Sequence, residues 1–181
     1  MRRPGEETGM VARASMTRLL PLLREFGALD KRRCREGLTP SEYQRLMDLK
    51  HTLSKHYPQG DAPEGAERRQ HMRLPLRLLV QYKTRDALHD AVITNVSRGG
   101  LFISTAFPPE IGTQFTLCIR IDATGEAVDL PCEVVSHNVG RDFSTRALGM
   151  GLRFGNLNES QRAVVDGLFD IAVEQTADQD A

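Results

Sequence analysis

Residues 91–104 read AVITNVSRGGLFIS, and the fold turns on how that stretch is divided. Ala91–Val96 and Leu101–Ser104 are short, largely apolar runs set off by turn residues, and they read as strands. Between them lies Asn95-Val96-Ser97-Arg98-Gly99-Gly100. Asn and Ser bring short polar groups, and two consecutive glycines let the backbone turn tightly and approach a ligand. The stretch therefore reads as strand, turn, strand. The same reading extends along the chain, to Leu76–Lys83, Gln114–Ile121, Ala127–His137 and Gly149–Phe154. Gly, Pro, Asn or Asp punctuate nearly every gap, a regular spacing that predicts an all-β barrel or sandwich. Asn158 then caps a predicted helix over Glu159–Val173, with Ala163, Val164, Leu168, Phe169 and Ile171 on its apolar side, and Thr176–Ala181 is an acidic end.

Upstream the period is 3.6. Residues 1–15 are polar and aperiodic and read as a flexible tail. From Met16, the residues Leu19, Leu20, Leu22, Leu23, Phe26 and Leu29 form an apolar stripe, with Pro21 expected to set the start of the helix. The basic run Lys31–Arg35, followed by Gly37, makes a helix stop. Thr39-Pro40-Ser41-Glu42 is a helix start, with a capping Thr, Pro at the first helical position and Glu placed for a capping box. Tyr43, Leu46, Met47, Lys50, Leu53 and Tyr57 follow at helical spacing. Residues 16–57 are thus a helical hairpin. Two readings of it stand: it packs on its own chain, or it is an arm for self-association or a protein partner. Residues 58–66, rich in Pro and Gly, are a linker to the β domain, placed at 67–175, and 176–181 form the tail.

Charge excludes several classes. The 24 basic and 24 acidic side chains cancel, which counts against a generic polyanion binder. The cancellation hides segments. Residues 1–57 carry 12 basic against 7 acidic groups, 67–157 carry 11 against 9, and 158–181 carry Arg162 against six acids. Cys34, Cys118 and Cys132 show no zinc or disulfide spacing, so no metal is expected, and the last two read as small core residues. No nucleophile elbow, P-loop, zinc-protease helix or dinucleotide fingerprint occurs, and the five histidines are scattered, so no enzyme is predicted. Without a signal peptide or a membrane-length apolar run, the expectation is a cytoplasmic protein.

Two segments could bind a ligand. One is the strand-joining turn. The other is Glu67-Arg68-Arg69-Gln70-His71-Met72-Arg73, whose three guanidiniums can bind phosphate oxygens or a guanine edge in bidentate fashion and stack on bases. Taken together, Arg69-x-x-x-Arg73 and then Asn95-x-Ser97-x-x-Gly100, inside a six-strand pattern closed by Gly149–Phe154 and a helix, resemble the PilZ domain. That resemblance implies a six-stranded antiparallel β-barrel with a C-terminal helix, here preceded by the N-terminal helical hairpin. It also implies a bacterial receptor for the second messenger cyclic di-GMP, a ligand rather than a catalytic cofactor. By resemblance, Arg69 and Arg73 clamp guanine and phosphates, Asn95 and Ser97 meet a guanine edge or phosphate, and Gly99 and Gly100 keep the turn open. Arg68 matches members that stack an extra guanidinium on an intercalated ligand dimer. Where the family also uses Asp, Asn95 offers one acceptor oxygen instead of two, which predicts a weaker grip on guanine. A PilZ-like adaptor that binds no nucleotide, and a nucleic-acid or anionic-membrane contact through Lys31–Arg35, are the alternatives.

Overall fold

Residues 6–56, 71–83, 88–121, 126–138 and 148–178 are described by the computed structural model of the chain. The linker 58–66, Arg68 and Arg69 lie outside the described residues.

Helix α1 spans Glu6–Arg35 and carries Pro21 in its interior. The sequence placed the start at Met16 or Pro21, and the helix begins ten residues before the first of these. An internal Pro costs roughly 3 kcal/mol. Burial of Leu19 just before it, and of Leu23 and Phe26 just after it, stabilises by about 1.5–3 kcal/mol for each side chain and outweighs that cost. The helix stops as expected: Gly37 takes φ +89°, and its N–H donates to the Arg32 carbonyl at 3.1 Å. Helix α2, Pro40–Ser54, starts on the predicted capping box, with Thr39 N donating to Glu42 Oε2 at 3.0 Å. Arg45 binds Glu25 through two hydrogen bonds of 2.6–2.7 Å, and Arg32 reaches Glu42 at 2.6 Å.

Six strands follow: β1 (Leu74–Lys83), β2 (Leu88–Ser97), β3 (Gly100–Ser104), β4 (Gln114–Ile121), β5 (Glu126–Asn138) and β6 (Gly149–Phe154). They close into a barrel in the order β1-β2-β3-β6-β5-β4, and the described pairs are antiparallel. The predicted strands are all present. Leu76, Val80, Tyr82, Ile93, Val96, Ile103, Leu117, Leu130, Val134 and Met150 are buried. Cys132 is buried with them, and burial pushes its thiol up to about 12. Cys118, in contrast, is only half-buried. Leu117 and Ile119 are the buried positions on β4, so the alternation directs the intervening Cys118 to the other face.

Helix α3, Glu159–Asp178, opens on a reciprocal pair. Gln161 N donates to Asn158 Oδ1 and Asn158 N donates to Gln161 Oε1, both at 2.9 Å. Its buried stripe is Val164, Val165, Leu168, Phe169, Ala172 and Val173. Ala163 and Ile171, expected on that stripe, are exposed, because the true stripe is the narrow one at i, i+1, i+4 and i+5.

The chain forms two compact units, Met1–Leu74 with Phe169–Ala181, and Pro75–Leu168. In the first, the Phe169 ring packs on Phe26 with centroids 6.4 Å apart, and Arg24 binds Glu174 at 2.9 Å. The apolar stripes of the hairpin are thus covered by each other and by the second half of α3. The second unit is the barrel with the first half of α3. Among the described residues, no helix is long and apolar enough to cross a membrane.

Candidate ligand-binding site

The site residues on β2 owe their orientation to a bulge. Ile93 pairs with Ile103, and the next pair is Asn95 with Phe102, so Thr94 is an extra residue with no partner on β3. Strict alternation from the buried Ala91 and Ile93 would send Asn95 into the core. The extra residue flips the phase. Val96 is consequently buried, and Asn95 is half-buried on the outer side. Its Oδ1 is buried and has no hydrogen-bond partner among the described residues. A buried unsatisfied acceptor costs about 1–3 kcal/mol, so this carbonyl is an oxygen waiting for a donor.

Beyond the bulge, Ser97 pairs with Gly100 across the turn, and its hydroxyl donates to the Gly100 carbonyl at 3.0 Å. That bond uses the serine proton and leaves its lone pairs to accept. The Gly99 carbonyl accepts from Phe154 N at 3.1 Å. Gly100 faces Arg153 on β6, and the strands approach so closely that a Cβ would run into the Leu152 carbonyl oxygen and lie 3.1 Å from its carbon. The glycine is required by this approach between strands. Gly100→Ala should therefore destabilise the barrel by about 2–3 kcal/mol, read as a lower urea midpoint with an unchanged slope.

The residue between these polar groups was missed as a site component. Arg98 is buried and its Nη1 pairs with Asp166 Oδ1 of α3. The turn is fastened to α3 by a buried ion pair, and only the three-dimensional pairing reveals it.

Asn95, Ser97, Gly99 and Gly100 thus come together on one turn of the barrel unit. Arg73 is exposed at the entry to β1 and belongs to the helical unit. A depression elsewhere on the barrel, lined by residues including Arg77, Leu79, Asp90 and Cys118, contains none of the described motif residues. In the basic run 31–35, Arg32 is engaged by Glu42 and Arg33 by Asp30, which reduces the charge offered to a polyanion.

A second cluster, also missed, lies within the helical unit. Asp30 is 1% exposed. Arg33 donates to its Oδ1 at 2.7 and 3.0 Å and lies 2.9 Å from His71 Nδ1. Asp30 Oδ2 is 4.0 Å from the same nitrogen. Cys34 joins them, so that Asp30, Cys34 and His71 bring ligand-type atoms within 4.8 Å of one another. The donor types suit zinc, but the Arg33 guanidinium already stands beside the carboxylate and the imidazole as the local cation. The histidine's 37-residue distance from Cys34 in sequence concealed the group.

The Asp30 carboxylate, and next the Cys34 sulfur, favour the charged imidazole of His71 and raise it to about 9. Burial of the ring works against the charged form and moderates that shift. For Asp30, burial pushes upward, yet His71 and Arg33 together hold its carboxyl below the usual range. A histidine raised in the folded state contributes stability fully below its unfolded value near 6.5, and that contribution is lost as pH rises through about 9. Thermal melts from pH 6.5 to 9 should therefore show a decline in the wild type that His71→Gln reduces.

The bulged strand, the Asn-x-Ser-x-x-Gly turn and the closed six-stranded barrel with its C-terminal helix define a PilZ-type domain. The PilZ domain family model matches residues 67–170, more than half of the 181 residues, and the chain belongs to that family. In fold it is similar to the "PilZ domain with c-di-GMP of YcgR from Escherichia coli", at a TM-score of 0.50 and 18% identity, covering 62% of this chain and 98% of that one. The Bacillus subtilis inhibitor of motility MotI/DgrA matches at 0.47 and 18% identity, over 62% of this chain and 52% of that one. The PlzA protein of Borreliella burgdorferi in complex with c-di-GMP matches at 0.42 and 13%, over 74% and 50%. This chain therefore spans about half the length of those two proteins. No curated protein matches it.

Proposed function

We propose that this protein is a non-enzymatic receptor for cyclic di-GMP, whose ligand recruits Arg68, Arg69 and Arg73 to the Asn95–Gly100 turn. The observation that carries the proposal is Asn95 Oδ1, buried without a partner among the described residues on a strand whose bulge turns it outward. A guanine N1–H/N2–H₂ edge supplies the missing donors. Ser97, its own proton committed to the turn, accepts from the ligand, and the arginines supply bidentate donors for its two phosphates and a guanine. Membership of the PilZ family and retention of both motifs support this reading. The E. coli YcgR domain with c-di-GMP supports it only through the shared fold.

Binding orders the segment that joins the helical hairpin to the barrel. Ordering costs about 1–2 kcal/mol per residue, which charge-assisted hydrogen bonds of roughly 1.5–3 kcal/mol each offset. Because residues 58–66 connect hairpin and barrel, the ligand re-aims residues 16–57, which act as the output element toward a protein partner or a second copy. Calorimetric titration of the wild-type protein with cyclic di-GMP tests this, with GTP as the control. Saturable binding of cyclic di-GMP alone, accompanied by changed tryptic cleavage after Arg68 and Arg69, is the expected result. Absence of binding would replace the receptor with a PilZ-like adaptor working through protein contacts.

A further inference from the structure

We infer that Asp30 and Arg33 of α1, acting through His71, dock the arginine-bearing segment onto the helical unit, so that cyclic di-GMP affinity and the state of α1 are coupled. This deepens the receptor reading and rests on it. The segment concerned is the one that carries the ligand arginines: His71 stands two positions after Arg69 and two before Arg73.

Three observations carry the inference. First, Asp30 is 1% exposed near the end of a helix. An apolar residue would stabilise that position at least as well, because burying a charge carries a desolvation penalty. The carboxylate is there with a purpose that packing does not supply, and its neighbours are Arg33 and His71. Second, the segment beyond His71 is already seated. Met72 and Leu74 are 1% and 0% exposed, while Arg73 between them is exposed. Arg73 therefore faces outward, while His71, two positions earlier, is half-buried against Asp30 and Arg33. Third, Asp30, Arg33 and Cys34 all belong to the closing turns of α1, the element whose buried face meets Phe169. A force that moves His71 is therefore felt at α1.

The dock is a positioning device. It removes freedom from residues 71–74 before the ligand arrives, so less ordering is left for binding to accomplish. By linkage, a ligand that holds the arginines must alter the Asp30–His71 group by the same factor with which that group alters affinity. Cys34, exposed beside the cluster, reports its state.

Asp30→Asn, His71→Gln and the double variant keep side-chain size and should melt cooperatively. Each single change is expected to weaken cyclic di-GMP binding about fivefold or more, and the double variant to be no weaker than the poorer single one. In the wild type, saturating cyclic di-GMP should change the rate of Cys34 alkylation by iodoacetamide at least twofold, which a residue serving only to stabilise the fold would not produce. Tryptic cleavage after Arg68 and Arg69 should accelerate in the double variant even without ligand. Unchanged or tighter binding in the single variants, additive losses in the double, or a Cys34 rate indifferent to ligand would each overturn the coupling. If the wild type binds no cyclic di-GMP, the receptor reading fails first and the coupling with it. The ligand-free cleavage result then decides separately whether the dock itself exists.

Discussion

Asp166→Asn should cost the barrel about 3–5 kcal/mol, the loss expected when one partner of a buried ion pair is removed. The side chains of Arg98 and Asp166 are 3% and 10% exposed, so water cannot take over the role of the carboxylate. The orphaned guanidinium must either remain uncompensated in the interior or leave it, and leaving disrupts the turn between Ser97 and Gly99. Against a domain stability of about 5–15 kcal/mol, this loss is large enough to appear as a much earlier urea midpoint. An apolar pair, Arg98→Met with Asp166→Leu, should recover most of the stability, because the penalty arises from an unpaired charge. It should not recover ligand affinity if the ion pair also aims the turn. A loss below about 1 kcal/mol for Asp166→Asn would mean that the pair behaves as a surface contact.

Loss of cyclic di-GMP binding by at least a hundredfold is expected for the Arg69→Ala/Arg73→Ala double variant. In the proposed arrangement each guanidinium makes charge-assisted bonds of about 1.5–3 kcal/mol, and a tenfold change in affinity corresponds to about 1.4 kcal/mol. Arg73 is exposed and precedes β1, and the melting temperature of the double variant, measured beside its affinity, separates lost binding from unfolding. Raising salt should weaken the wild type more steeply than the double variant, since the variant lacks two of the cations proposed to meet the phosphates. Tight binding that survives both changes would sink the proposed arrangement.

Much of this was legible in one dimension because it depends on local patterns. Short apolar runs set off by turn residues located all six strands, and the caps at Thr39 and Asn158 formed as written, since a capping box needs only residues three apart. Gly37 closed α1 because only a left-handed position ends the helix there. The passage of α1 through Pro21 was illegible: a local penalty was overruled by burial against distant residues. The face of Asn95 was equally hidden. Alternation read along β2 sends it inward, and a single unpaired residue, Thr94, sends it outward.

By itself the sequence determined the order of elements and an all-β barrel or sandwich, and its two short motifs carried the family resemblance that implies the barrel. The element order follows from periodicity, turn chemistry and spacing, all properties of neighbouring residues. Only the tertiary structure decided that Arg98 is fastened to Asp166, that Asp30, Arg33 and His71 share one cluster, and that Phe169 completes the helical unit. Apart from the helical neighbours Asp30 and Arg33, those pairings join residues 38 to 143 positions apart, and their partners are selected by burial and charge in space, which no local period encodes.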